Sequence, residues 1–278
     1  MEKPANNLKY ISEMIRQNDH DRYLVTLYAP EEKRDDLFAL YAFNYELSRL
    51  RSVVSEPMLG EIRLQWWRDA INNIYQGKRD SHELIPALAK AVERHDLSRE
   101  RLMDLIESRA RDLYDENPRN MAELDHYLDQ TSGNLTCLAA QILGQKDHEF
   151  MTRKLGFLWG YVELIRAVPY HMTLKQSFMP LSLMGEGHNR FLSPDQPEVM
   201  KVVIKDLSEK ALQYLAEIRI NKAHITPKVR SLFLLTSLAQ HYLKAIEKAE
   251  YNPFRLEKTA GAFSRQWGLL ISAVFNRI

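Results

Sequence analysis

The sequence predicts an all-α fold, and three observations carry that prediction. Apolar residues recur at spacings of three and four from one end of the chain to the other, the period of a helix with one buried face. No stretch of five or more residues alternates cleanly between polar and apolar, as a half-buried strand would. Hydrophobic residues make up 45% of the 278 with only ten glycines, a balance that suits packed helices better than a β-sandwich or a disordered chain. No composition break, repeat or Ser/Gly linker divides the chain, so residues 1–278 are read as a single domain.

Charge and cysteine content exclude several function classes. The 38 basic residues against 37 acidic ones leave a net charge of +1, without the basic excess a general nucleic-acid binder needs. The one cysteine, Cys137, stands in an apolar run with Leu135, Leu138 and Ile142 and is expected to be a buried small hydrophobe. No disulfide can form within the chain, which fits a reducing compartment. Residues 1–10 lack an apolar core or an Arg-rich amphipathic pattern, so neither a secretion signal nor a transit peptide is expected. The longest apolar run, 267–275, is about half of what spans a bilayer.

Taken in order, the first helix is expected over 8–18 and a short second one over 21–28. Pro30 opens a longer helix to about Val54, with Glu31, Glu32, Asp35 and Asp36 in its first turns, where the helix dipole favours acids. Its core face reads Leu37, Leu40, Asn44, Leu47 and Arg51, so polar residues intrude on an apolar stripe. The next helix, 58–77, aligns Ile62, Gln65, Trp66, Ala70 and Ile74 and ends at Gly77. Trp66 and Trp67 cannot both face one core, which leaves one of them for a neighbouring helix, a partner or a membrane. A helix pair follows over 82–96 and 98–115, the second capped by Ser98, with Arg109 placed to bridge Asp112 on the surface.

Asn120 begins a helix expected over 124–143, broken in its middle at Gly133, where a small residue lets helices or a ligand approach closely. Leu155, Leu158, Trp159, Val162 and Ile165 then mark one broad apolar face, interrupted by Glu163 and Arg166, which are spaced to pair. Pro169 is expected to stop or kink that helix just past Arg166. Ser193-Pro194 and Pro197 open a helix to Ile218. Thr226-Pro227 caps another to Tyr251, and the last, 259–278, is apolar along Phe263, Trp267, Leu270, Ile271 and Val274.

The run from Leu155 to Pro180 resembles the second signature of the squalene/phytoene synthase family, a helix L-G-x-A-x-Q-L-T-N-I-L-R-D-x-x-x-D followed by a basic loop ending Y-L-P. Leu155, Gly156 and Arg166 match, and Phe178-Met179-Pro180 stands where the loop ends. Gly160 and Glu163 replace the glutamine and asparagine, and Ala167 and His171 replace the two aspartates. Tyr41-Ala42-Phe43 matches the lead into the family's first aspartate motif, whose aspartates should fall at Ser48, Arg49 and Ser52; none is acidic. Glu46, the only nearby carboxylate, lies on a different helix face from Ser48 and Ser52. Trp67-Arg68, Asp112-Leu113 and Gly133 match the family's W-R, D-L and V-A-G segments.

The resemblance implies a helical bundle of the isoprenoid synthase type with a central cavity. Its departures, with Arg166-Ala167, Pro169-Tyr170-His171 and Phe178 to Pro180, are similar to the branch that assembles respiratory complex I. Prenyl condensation needs magnesium held by carboxylates on facing helices to neutralise a leaving diphosphate. Serine, arginine, alanine and histidine cannot form that cage, so no catalytic residue, metal or cofactor is assigned. The former cavity is expected to persist as an apolar pocket around Asn44, Ser48, Gly133, Trp159 and Arg166, able to hold an isoprenoid or quinone-like lipid or a partner helix, with Glu46, Asp112 and Glu163 approaching it. His171 could ligate only a softer metal than magnesium.

The expected partners are complex I subunits or assembly intermediates. The expected place is peripheral to the inner membrane, on the cytoplasmic side in a bacterium or the matrix side in a mitochondrion. Two rival readings stay open: a prenyltransferase with displaced carboxylates, and a non-catalytic isoprenoid carrier.

Overall fold

A computed structural model describes residues 4–78, 81–145, 149–185, 191–256 and 262–275, and among them every regular element is helical. In order, the helices are α1 (Pro4–Asn18), α2 (His20–Thr26), α3 (Glu31–Ser48), α4 (Leu50–Val53), α5 (Pro57–Tyr75), α6 (Ile85–His95), α7 (Arg99–Glu107), α8 (Met121–Leu128), α9 (Asn134–Ile142), α10 (Glu149–Thr173), α11 (Leu181–Met184), α12 (Pro197–Ile220), α13 (Leu235–Lys248) and α14 (Ala262–Phe275). Two compact units result. One comprises Met1–Tyr114, Asn134–Glu149 and Ile225–Leu232, the other Asp115–Gly133, Phe150–His224 and Phe233–Ile278.

In the first unit α3 is the central helix, packed against α1, α6 and α9. Leu37, Leu40, Phe43 and Leu47 are buried along it, and Phe43 meets Trp67 of α5 edge-on at 5.2 Å. Asp36 is buried too and ties α3 to α6, accepting from Arg94 and lying against the His95 ring nitrogen, both at 2.8 Å. Burial pushes the His95 imidazole below its ordinary value, against the pull of Asp36. Arg68 of α5 grips Glu107 of α7 through two bonds of 2.7 and 2.8 Å. Cys137 is buried, as expected.

The second unit is built on α10. A Cβ on Gly156 would stand 2.6 Å from the Ser132 carbonyl and 2.7 Å from the Gly133 Cα, and one on Gly160 would meet Leu128 and Ser132 at 2.9 to 3.1 Å. Two glycines four apart therefore let α10 lie on the end of α8 and on the turn that follows it. The ends of this contact are polar: Arg153 pairs with Asp129, and the buried Tyr161 hydroxyl donates to Asp125. Phe157 stacks on Tyr214 of α12 at 4.9 Å, and Lys154 pairs with Glu217.

Several boundaries differ from the sequence reading, each for a local reason. The helix expected from Pro30 to Val54 breaks at Arg49, where the backbone turns (φ −86°, ψ −4°). The helix expected over 98–115 ends at Glu107, and Asp112 falls in a 3-10 turn, Arg111–Tyr114. The helix expected over 124–143 is interrupted by a π-helical turn, Asp129–Gly133, so the break at Gly133 is real and wider than one residue. Pro169 does not end α10, which runs on to Thr173: a proline gives up its own donor and crowds the carbonyl four residues back, but the turn after it still closes. The true end is a Schellman cap, with Lys175 at φ 55° and Gln176 N–H bonded to the His171 carbonyl at 2.9 Å.

Thr226-Pro227 opens 3-10 turns rather than a helix: the Thr226 side chain makes no cap bond, its hydroxyl donates to Gln145 at 2.6 Å, and α13 starts only at Leu235. The stripe proposed for the 58–77 helix is also displaced. Leu64, Trp67, Ile71 and Ile74 are buried, whereas Ile62, Gln65 and Trp66 face outward. In α14, Leu269 and Ser272 are buried, whereas Trp267 and Leu270 are exposed. The side chains of Phe263 and Val274 lie outside the described residues.

Two outcomes follow for the second unit. Gly156→Ala forces backbone apart and should cost about 1–3 kcal/mol, more than Gly160→Ala, whose neighbours are side chains; urea unfolding of both variants measures the difference. Burial pushes the Tyr214 phenol up to about 12 and raises that of Tyr161 as well. The folded state therefore keeps protons that the unfolded chain releases near pH 10. Stability is full below about pH 10 and falls as pH rises beyond it. Tyr161→Phe should cost about 1 kcal/mol at neutral pH, by removing the donor to half-buried Asp125, and should flatten that alkaline loss.

Candidate functional site

The residues singled out from the sequence divide between the two units. Asn44, Glu46, Ser48, Arg49, Ser52 and Asp112 lie in the first, and Gly133, Trp159, Glu163, Arg166, Ala167 and His171 in the second. Each group has its own chemistry.

In the first unit the end of α3 carries the positions where the resemblance sets the first aspartates. Ser48 and Ser52 are exposed, and each hydroxyl folds back onto its own helix, donating to the Tyr45 carbonyl at 3.0 Å and the Arg49 carbonyl at 2.7 Å. Arg49 reaches back one turn to Glu46 at 2.9 Å and lies over the Tyr45 ring. The nearest carboxylate is thus matched to a guanidinium one turn away. Asn44 is half-buried on the same helix. Asp112 accepts from Arg109 at 3.2 Å, as the spacing suggested, but both side chains are largely buried, so this is no surface bridge.

In the second unit, Arg166 lies 3.8 Å from the centre of the Tyr242 ring of α13 and 6.0 Å from that of fully buried Trp159. Its cation rests on aromatic faces, a contact worth about 0.5–2 kcal/mol. Glu163 and Ala167 are half-buried beside it on α10. His171, four residues past Ala167, packs against the Phe178 ring at 4.7 Å. It borders a recess with Val168, Met172, Gln176, Phe178 and Leu192 that encloses ≈ 230 Å³, counting what opens to solvent. Gly133 sits in the π-helical turn, pressed on Gly156.

The donor set does not suit magnesium. That ion takes oxygen ligands in near-octahedral order, and the five positions in question offer two back-bonded hydroxyls, a guanidinium, a methyl group and an imidazole. Among the described residues, no group of three or more His, Cys, Asp or Glu side chains could hold a metal ion. The sequence reading missed Asp125 and Asp129, a carboxylate pair at the four-residue spacing that metal sites favour. Each is matched to a donor from α10, Tyr161 and Arg153, which marks the pair as a packing device. Their spacing was the available signal. Tyr242, the seat of Arg166, had none, because it lies 76 residues further along the chain.

Comparison with known proteins agrees with this architecture. The chain is similar to the complex I assembly factor 6 of Bos taurus, 33% identical over 251 residues, which cover 88% of this chain and 75% of that protein. The Homo sapiens protein of the same name is 32% identical over 250 residues, again 88% and 75% of the two chains. Among solved structures, a dehydrosqualene synthase superposes with a TM-score of 0.81 at 16% identity, covering 98% of this chain and 97% of its own. A squalene synthase from Alicyclobacillus acidocaldarius gives 0.75 at 17%, covering 90% and 97%. At those identities the likeness speaks for fold alone, and it is the expected isoprenoid synthase bundle. The squalene/phytoene synthase model matches residues 15–268, nearly the whole length, and the chain therefore belongs to the squalene/phytoene synthase family.

Proposed function

We propose that this chain is an assembly factor for respiratory complex I that keeps the synthase fold without the synthase reaction. The observation that carries this reading is the likeness to relatives named as complex I assembly factors, 33% and 32% identical across most of the chain, where the dehydrosqualene synthase of the same fold is 16% identical. The chemistry of the side chains supports it. Ionising an allylic diphosphate requires positive charge held by carboxylates at the leaving group. Here Ser48, Arg49 and Ser52 are turned into their own helix or onto Glu46, and Ala167 and His171 supply no carboxylate.

On this reading the working parts of the molecule are its surfaces, and its partners are complex I subunits or their assembly intermediates. No described helix is long and apolar enough to cross a membrane. On this reading the protein works beside the inner membrane, on its cytoplasmic or matrix side.

Two measurements test the proposal. Incubated with farnesyl diphosphate, magnesium and NADPH, the purified protein should release no diphosphate and form no C30 product, beside an active synthase control. Deleting its gene should lower the amount of assembled complex I, and Ser48→Ala with Ser52→Ala should restore it as well as the wild type does. Turnover, or intact complex I in the deletion strain, would sink the reading.

A further inference from the structure

Helix α5 carries an apolar row that the rest of its unit leaves uncovered. Met58, Ile62 and Trp66 stand four residues apart along about 12 Å of helix. They are 65, 60 and 38% exposed, with Leu59 beside them at 43%. The opposite face is anchored: Leu64, Trp67, Ile71 and Ile74 are buried, and a Cβ on Gly60 would overlap the Leu113 side chain. The Trp66 ring is braced by Trp67 at 4.8 Å and His82 at 5.1 Å. A fixed aromatic anchor next to an adaptable methionine is the composition of a binding hot spot.

The charges around the row select what can cover it. Glu56 just before α5, and Glu61 and Asp69 on it, with Glu107 that binds Arg68, set four carboxylates against the two guanidiniums of Arg63 and Arg68, and Arg68 answers Glu61 and Asp69 only at longer range. An anionic bilayer would be repelled by this rim. A second copy is disfavoured as well. Two antiparallel α5 helices related by a two-fold axis at Ile62 would set the Glu61 and Asp69 flank of one against the same flank of the other. The exposed apolar area is a few hundred Å², short of the roughly 800 Å² per partner of a standard stable interface.

We infer that the Met58, Ile62 and Trp66 row is a transient docking surface for an apolar α-helix of another protein, flanked by basic residues that face Glu61 and Asp69. A helix laid along α5 would match three of its own apolar side chains to this row, the usual way one helix face reads another. The inference stands on the exposed row and its charges and does not require the assembly role.

Fluorescence anisotropy on the full chain tests it with three probes: a labelled helix of about 18 Leu and Lys residues, its Leu/Glu counterpart, and phosphatidylglycerol vesicles. The Leu/Lys helix should bind, and Ile62→Ser should weaken it roughly ten-fold or more. The double variant Glu61→Lys, Asp69→Lys should weaken it similarly, whereas Leu212→Ser, on an exposed face of α12, should leave it unchanged. Equal binding by wild type and Ile62→Ser, or preference for the Leu/Glu helix, overturns the inference. Vesicle binding that Ile62→Ser abolishes, with no peptide binding, overturns it too and makes the row a membrane anchor. None of these readouts involves complex I, so failure here is distinguishable from failure of the assembly reading.

Discussion

The backbone contact between Gly156 and the turn at Ser132 and Gly133 sets the rest of the second unit. Side chains can yield by changing rotamer, but a carbonyl 2.6 Å from where a Cβ would stand cannot yield without moving its helix. This contact fixes both the rotation and the height of α10. Once they are fixed, Arg153, one turn before Gly156, and Tyr161, next to Gly160, meet Asp129 at the start of the π-helical turn and Asp125 one turn before it. The other side of α10 is fixed at the same time, and it presents buried Trp159 and the Arg166 guanidinium to Tyr242. The local widening at Asp129–Gly133 and the two missing Cβ atoms are thus parts of one close approach.

Ser48, Arg49 and Ser52, the positions on α3 and α4 where the resemblance sets aspartates, bond within their own stretch of helix. A serine hydroxyl bonded to the carbonyl three residues back is a local solution open to any exposed helical serine. Arg49 goes further, because it brings positive charge to a position where the resemblance sets an aspartate. Its pairing with Glu46 and its seat over Tyr45 cost the fold little and engage the only carboxylate within a turn. The second helix behaves alike: Arg166 rests on an aromatic ring, Ala167 offers a methyl group, and His171 packs on Phe178.

Period and composition were enough for the fold class, since helical spacing runs through the whole chain and survives small boundary errors. The points where the sequence misled are those where tertiary contacts overrule local preference. Pro169 reads as a stop, yet α10 continues, because the end of that helix is decided by the left-handed Lys175 and the bonds around it. Thr226-Pro227 reads as a cap, yet its hydroxyl is drawn to Gln145, a partner 81 residues away that no local pattern announces. Among the site residues, Gly133 was legible because its function is local backbone geometry. The true setting of Arg166 was not, because half of it is an aromatic ring on another helix.

The two adjacent tryptophans show the same limit from the other side. Sequence alone required one of them to leave the core and could not say which, since both belong to plausible apolar rows. The structure buries Trp67 in contact with Phe43, leaving the row through Met58, Ile62 and Trp66 outside. The first half of α5 is therefore apolar on two faces, a pattern that ordinarily signals a helix enclosed on all sides. One of those faces is packed within its unit, and on the other Trp66 meets His82 while Met58 and Ile62 stay exposed. A row of large apolar side chains held rigid on a folded scaffold raises the free energy of the lone molecule in water, by about 25 cal/mol for each Å² left exposed. Covering it returns that free energy, and the acidic rim narrows the cover to one that brings positive charge.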